Sequence, residues 1–236
     1  MTTLDPFLLA QAVRGGVRVA KELDTSAARR DLMASPGIPK VLPAAEVRLH
    51  PHAVLEQLMV AEGIYVWPTQ ELAAFMAARG VEMEIGAGNG ALAEYLGVLA
   101  TDNYSQHPTY RPEAKHRALW EQTQAARQSA KQALVTYGAN VVRLEAIDAV
   151  IKHKPTVTYG LYIMHKYRAG DRDGNVFGVD EEKLIKRTTY IMAGNAKTHA
   201  NKRILSRANE VHELDGLITR AADQNLNRIW IWNKTR

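Results

Sequence analysis

Residues 81–91 read VEMEIGAGNGA. A short apolar run carrying Glu84 leads into Gly86, Gly88 and Gly90, one glycine at every second position. Glycines so placed let a chain turn sharply out of a strand and let a ligand approach the backbone without meeting a Cβ. A helix over Asn89–Leu96 is expected next, burying Leu92 and Leu96 and stopped by Gly97, before a second strand, VLATD. Residues 81–102 thus form a compact βαβ unit, and βαβ units imply a parallel sheet.

The pattern continues on both sides of this unit. Upstream, AVLEQLMVAEG reads as a helix, and YVWPTQELAAFMAARG supplies another with Thr69 as N-cap and Gly80 as terminating glycine. Downstream come a helix over about 113–135, strands near 140–145 and 156–164, a short helix capped by Asp180, the strand TYIMAG, and two late strands in VHEL and RIWIW. In the last, Ile229 and Ile231 are expected on one face of an edge strand, with Trp230 and Trp232 on the other. Residues 1–50 look different. A helix broken at Gly15–Gly16 precedes ASPGIPKVLP, which its prolines mark as a linker or extended arm. The expected fold is therefore α/β, a Rossmann-like, mostly parallel sheet with helices on both faces over residues 51–236. Residues 1–50 are an N-terminal extension that docks on the core, on a partner or on a second copy of the chain, which leaves room for a homo-oligomer.

With 236 residues, 46% apolar and 23% charged, the chain has ordinary globular composition and length enough for its own core. The absence of cysteine excludes disulfides, thiolate zinc sites and cysteine nucleophiles, and fits a reducing cytoplasm. No apolar run approaches the roughly 18–20 residues that span a bilayer, and no secretory leader is read at the start. The net charge of +5 is compatible with nucleic acid without requiring it.

Three readings of the glycine turn compete. Gly86, Gly88 and Ala91 satisfy the dinucleotide pattern G-x-G-x-x-[GA]. A turn without ligand is the second reading, and a Walker loop is excluded because no G-K-[ST] follows. In the third, Glu84-Ile85-Gly86-Ala87-Gly88-Asn89-Gly90 resembles the first motif of the Rossmann-like S-adenosyl-L-methionine (SAM)-dependent methyltransferases, an acid followed by G-x-G-x-G. A pyrophosphate gains nothing from a carboxylate at Glu84. A ligand carrying an ammonium and a sulfonium does, because opposite charge nearby stabilises both. Asp102 ends the second strand, where both cofactor families place an acid on the ribose hydroxyls. With YVWPTQEL, ATDN, MHKY and AGNAKTHANK, the chain over roughly 60–235 is also similar to poorly characterised methyltransferase-like proteins of bacteriophages and related bacterial elements. Such a protein would work in the cytoplasm, the host's if phage-encoded. The resemblance implies SAM as cofactor, held by Glu84, Gly86, Ala87, Gly88, Gly90, Asp102 and Asn103. It implies Glu145 near the adenine, with Asp148 as competitor, and a lid formed by Tyr65, Trp67 and Thr69, whose aromatics a hydrophobic staple explains equally well.

The reaction is less legible. Base-amino methyltransferases carry [DN]-P-P-[YFW] after the fourth strand, whereas this chain has YIMHKYRAGDRDGN. His165 is the candidate base there, with Lys166 and Tyr167 behind it. Asp171, Asp173 and Asp180 resemble part of a calcium loop but lack its spacing, so no metal site is expected. Lys197, Lys202, Arg203 and Arg207, with Lys115, Arg117, Arg127 and Lys131 of the long helix, are either a basic wall for nucleic acid or a solvated face. The expected activity is methyl transfer to nucleic acid or a nucleotide. The alternatives are a SAM- or nucleotide-binding regulatory protein without catalysis, and an enzyme that consumes SAM without methylating a macromolecule.

Overall fold

A computed structural model describes residues 21–166, 177–200 and 202–234. The helix expected before residue 20, Tyr167, and the Asp171–Asp173 part of the acidic loop lie outside the described residues.

The strand read at the glycine motif is β4 (Met83–Ile85), whose three residues are all buried. It pairs in parallel with β5 (Leu99–Asp102) on one side and with β7 (Val157–Leu161) on the other. β6 (Val141–Arg143) continues the parallel order beyond β5, and β8 (Thr189–Asn195) continues it beyond β7. Next to β8 the direction reverses: β11 (Asn227–Trp232) pairs antiparallel with β8 and, on its other side, with β9 (Glu210–His212). The seven-stranded sheet thus has the order β6-β5-β4-β7-β8-β11-β9. β11 is an interior strand, which corrects the edge assignment. The alternation of RIWIW defines two buried faces but does not say that a further strand, β9, pairs with its outer side.

Period-two alternation divides the core between the two faces of the sheet. Ile191, Ala193, Ile229 and Ile231 meet α4 (Gln70–Ala77) through Leu72, Ala73 and Met76, and α5 (Ala91–Leu96) through Leu92. Tyr190, Met192, Trp230 and Trp232 face the other way, onto Ala146, Ala149 and Val150 of α7 (Ala146–His153) and Leu184 of α8 (Glu181–Leu184). Tyr190 and Trp232 stack with centroids 5.5 Å apart, and the Trp232 indole donates to Ile204 O at 2.9 Å. Both expected caps form: Thr69 Oγ1 accepts from Leu72 N at 3.1 Å, and the Asp180 carboxylate from Lys183 N at 3.3 Å. A cap of this kind stabilises its helix by about 1 kcal/mol.

Residues between Ala28 and Val47 pack against later elements of the chain. Ala28 and Leu32 of α1 (Ser26–Leu32), Met33 of β1 (Met33–Ser35), and Ala44 and Val47 of α2 (Ala44–Val47) join a cluster with Leu55, Leu58 and Met59 of α3 (His52–Ala61). β1 forms a small hairpin with β2 (Ile38–Pro39). Trp67 and Ile218 complete the cluster from a two-stranded ribbon, β3 (Val66–Trp67) paired antiparallel with β10 (Ile218–Thr219). The remaining helix, α6 (Arg117–Ser129), is shorter at both ends than the expected span of 113–135.

Lys202 does not belong to a basic wall. It is buried, its Nζ donating to both oxygens of Glu181 at 2.7 and 2.8 Å, while the Tyr190 hydroxyl donates to Glu181 Oε1 at 3.0 Å. The acid that neutralises it lies far upstream in the sequence, beyond the reach of a local charge count. Glu181→Gln leaves the lysine charge buried without its counter-ion and is expected to cost about 3–5 kcal/mol of stability. Urea denaturation checks this. A loss below about 1 kcal/mol would mean that the pair is not desolvated.

Candidate functional site

The sheet order reverses between β5 and β7 around β4, so connections leave the carboxyl ends of β4 and β7 in opposite directions. Ligands of open α/β sheets bind in the crevice this creates. A cavity lies at that crevice, walled by the glycine turn, the ends of β5 and β7, residues Phe177–Val179, Tyr65 and one face of α6.

The turn is built as the glycine spacing requires. Gly86, Gly88 and Gly90 all have φ between +56° and +66°, where a side chain is strained. A Cβ on Gly86 would also stand 2.4 Å from Ile163 Cδ1. Gly88 N donates to Asp102 Oδ2 at 3.0 Å, and Tyr104 N to Asp102 Oδ1 at 2.8 Å. Asp102, which lines the cavity, therefore fastens the turn to the end of β5. Tyr104 and Tyr162, just past the ends of β5 and β7, both hold positive φ, +59° and +58°. Bulky residues in this strained region cluster at functional sites.

The acids here are unusual. Glu84 is 2% exposed and accepts a hydrogen bond from the Tyr159 hydroxyl at 2.9 Å. Burial raises its carboxyl to about 8, so it is mostly protonated at neutral pH. Burial likewise raises Asp102 to about 6, against the lowering effect of the Tyr104 and Gly88 amides. Burial alone would raise the phenol of Tyr65, another lining residue. The Arg220 and Arg127 guanidiniums outweigh it, and with a hydrogen bond from Gln106 they bring Tyr65 down to about 8. Arg220 lies 3.5 Å over the Tyr65 ring, and Gln106 Nε2 is 3.0 Å from its hydroxyl.

Of the residues expected to hold a cofactor, Glu84, Gly86, Ala87, Gly88, Asp102, Asn103 and Glu145 all line this cavity. Glu145 stands at the exposed rim as the N-cap residue of α7. Gly90 is the N-cap of α5, behind the wall. Thr69 is fully buried, its hydroxyl engaged with Leu72 N and with Gly216 O at 2.6 Å. Trp67 is buried in the cluster beneath α3, so of the expected lid residues only Tyr65 reaches the cavity. His165 sits just past β7, bridged through its backbone to Val179, one position beyond the lining Met164.

Tyr137, Gln106 and the α6 face were missed by sequence reasoning. Trp120, Thr123 and Arg127 fall at i, i+3 and i+7, so one face of α6 turns them together towards the cavity. That spacing was the available signal, and it is obscured because Arg127 also reads as one of several surface cations. The Trp120 indole holds the helix to the loop after β5 by donating to Ser105 O at 2.7 Å.

Among the described residues no group of three or more His, Asp or Glu side chains is gathered to hold a metal, and no helix is long and apolar enough to cross a membrane. Comparison with protein-family models, with curated proteins and with solved structures returned no match.

Proposed function

We propose that the protein has a Rossmann-like fold, binds SAM in this cavity and is a methyltransferase acting on nucleic acid or a nucleotide. The observation that carries the reading is the convergence of Glu84, the Gly86–Gly88 turn and Asp102 on one cavity at the sheet's switch point. The residues fit the group. A Cβ at Gly86 or Gly88 would be strained and crowded, Asp102 is an acceptor for ribose hydroxyls, and Glu84, protonated in the free protein, becomes a carboxylate when a cation displaces its proton. A dinucleotide is the poorer fit. Its pyrophosphate gains nothing from the Glu84 carboxyl, and the seven-strand order, with β11 inserted antiparallel between β8 and β9, departs from the six-strand order of dinucleotide folds.

When bound, SAM supplies an electrophilic methyl group for in-line displacement. The chain's own contribution is largely to position and to exclude water. Asp102 and the turn fix the nucleoside, and Tyr65 and Tyr162 line the cavity with them. Tyr65 is the lining residue suited to accept a proton near neutral pH, with His165 standing off the wall. Among the described residues no histidine lines the cavity. The stretch after β7, YIMHKYRAGDRDGN in place of [DN]-P-P-[YFW], favours a second reading, a SAM-binding regulatory protein without transfer.

Incubation with methyl-tritiated SAM separates the two. Label is expected in a DNA, RNA or nucleotide fraction. Binding of SAM with no label moved and no SAM consumed would establish the regulatory role.

A further inference from the structure

Among the described residues lining the cavity, Arg127 is the cation, and nucleoside binding leaves it unused. It is 7% exposed, and its guanidinium has one hydrogen bond to a side chain, Nη1 to the neutral Gln124 Oε1 at 3.3 Å. Its Nε–H is buried without a partner, and among the described residues no carboxylate forms an ion pair with it. A buried cation without a counter-ion is strongly unfavourable unless a ligand supplies the charge. The second observation is independent. Gln106, whose Nε2 faces the Tyr65 hydroxyl, leaves its Oε1 buried with no donor. Both residues line the cavity with the glycine turn and Asp102. A vacant donor and a vacant acceptor at one cavity describe a ligand group that is anionic and also carries an N–H or O–H. An α-amino acid terminus has this character, and so does a hydrogen phosphate.

We propose that Arg127 and Gln106 form an anion subsite that receives a carboxylate or phosphate bearing an adjacent hydrogen-bond donor. The inference rests on the SAM reading for the neighbouring nucleoside subsite, although the anion subsite can be tested without it. Two sources carry the chemistry: the amino-acid end of the nucleoside ligand, and an anionic acceptor.

The full chain is titrated calorimetrically with S-adenosylhomocysteine and with methylthioadenosine, which lacks the amino-acid end. Inorganic phosphate is titrated while the arginine Nε–H resonances are followed by NMR, Arg127 being assigned by its loss in Arg127→Met. If the ligand's own carboxylate occupies the subsite, the wild-type protein prefers S-adenosylhomocysteine by about 10- to 100-fold. Arg127→Met then removes most of that preference while leaving methylthioadenosine affinity unchanged, which also shows that the variant is folded. If the acceptor supplies the anion, the preference is absent, yet phosphate shifts the Arg127 resonance saturably in the presence of methylthioadenosine. A preference untouched by Arg127→Met, together with no phosphate response, overturns the subsite and leaves the SAM reading standing. If neither nucleoside binds, the SAM reading falls and the phosphate titration alone decides the subsite.

Discussion

Asp102→Ala is expected to weaken SAM binding about 100-fold. The carboxylate holds Gly88 N and Tyr104 N at the cavity, and in the proposed complex it also accepts from the ribose hydroxyls. A hydrogen bond to a charged group contributes about 1.5–3 kcal/mol, so loss of the ribose contacts alone accounts for roughly ten- to a hundred-fold. Release of the turn adds to this. Asp102→Asn separates the contributions, because one amide oxygen still accepts a backbone N–H while the charge is gone, and its affinity should fall between the two. Calorimetry reads both variants. An unchanged affinity for Asp102→Ala would remove Asp102 from the site.

Glu84→Gln should have opposite effects on binding and on stability. In the free protein burial holds Glu84 near 8, whereas the unfolded chain releases that proton near the ordinary value of 4.5. A raised carboxyl favours the folded state below the unfolded value, and that advantage is lost as pH rises from 4.5 through 8. Gln keeps an acceptor for the Tyr159 hydroxyl and cannot ionise. The ligand-free variant should therefore be more stable than wild type at pH 8 and above, on the order of 3–5 kcal/mol. A cationic ligand reverses the balance, since it favours the carboxylate and expels the proton. Wild-type affinity for SAM should rise with pH up to about 8 and then level off, with proton release below that point. Glu84→Gln should lose both the proton release and the part of the rise that tracks Glu84, leaving only what Asp102 contributes near 6. Melting temperatures and calorimetry in buffers of different ionisation enthalpy check the pair. A variant less stable at pH 8, or with an unchanged pH profile, would contradict the role given to Glu84.

How far the sequence could be read depends on the range of the interaction concerned. The βαβ unit at 81–102 was legible because its signals are local: buried strand residues, three positive-φ glycines and a glycine C-cap at Gly97. One stretch of the cavity lining was legible for the same reason, since Glu84, Gly86, Ala87, Gly88, Asp102 and Asn103 belong to that unit or adjoin its end. The lining by Tyr65 was not. Tyr65 is placed by the β3–β10 ribbon, whose very short strands carry no periodic signal. It is also held by Arg220 N, which donates to Tyr65 O at 3.1 Å from a distant part of the sequence. Arg127 and Lys202 both read as surface cations because composition counts charge without seeing what surrounds it. One faces a cavity, and the other pairs with Glu181 in the core. His165 was chosen for following a strand, where cavities lie, but a single step of register separates it from Met164 on the wall.

The most direct measurement of the central claim is calorimetric titration of the purified chain with SAM, S-adenosylhomocysteine and NAD. Saturable binding of the two sulfur nucleosides is predicted, lost in Asp102→Ala, with no binding of NAD. Tight binding of NAD, with none for either sulfur nucleoside, would contradict it.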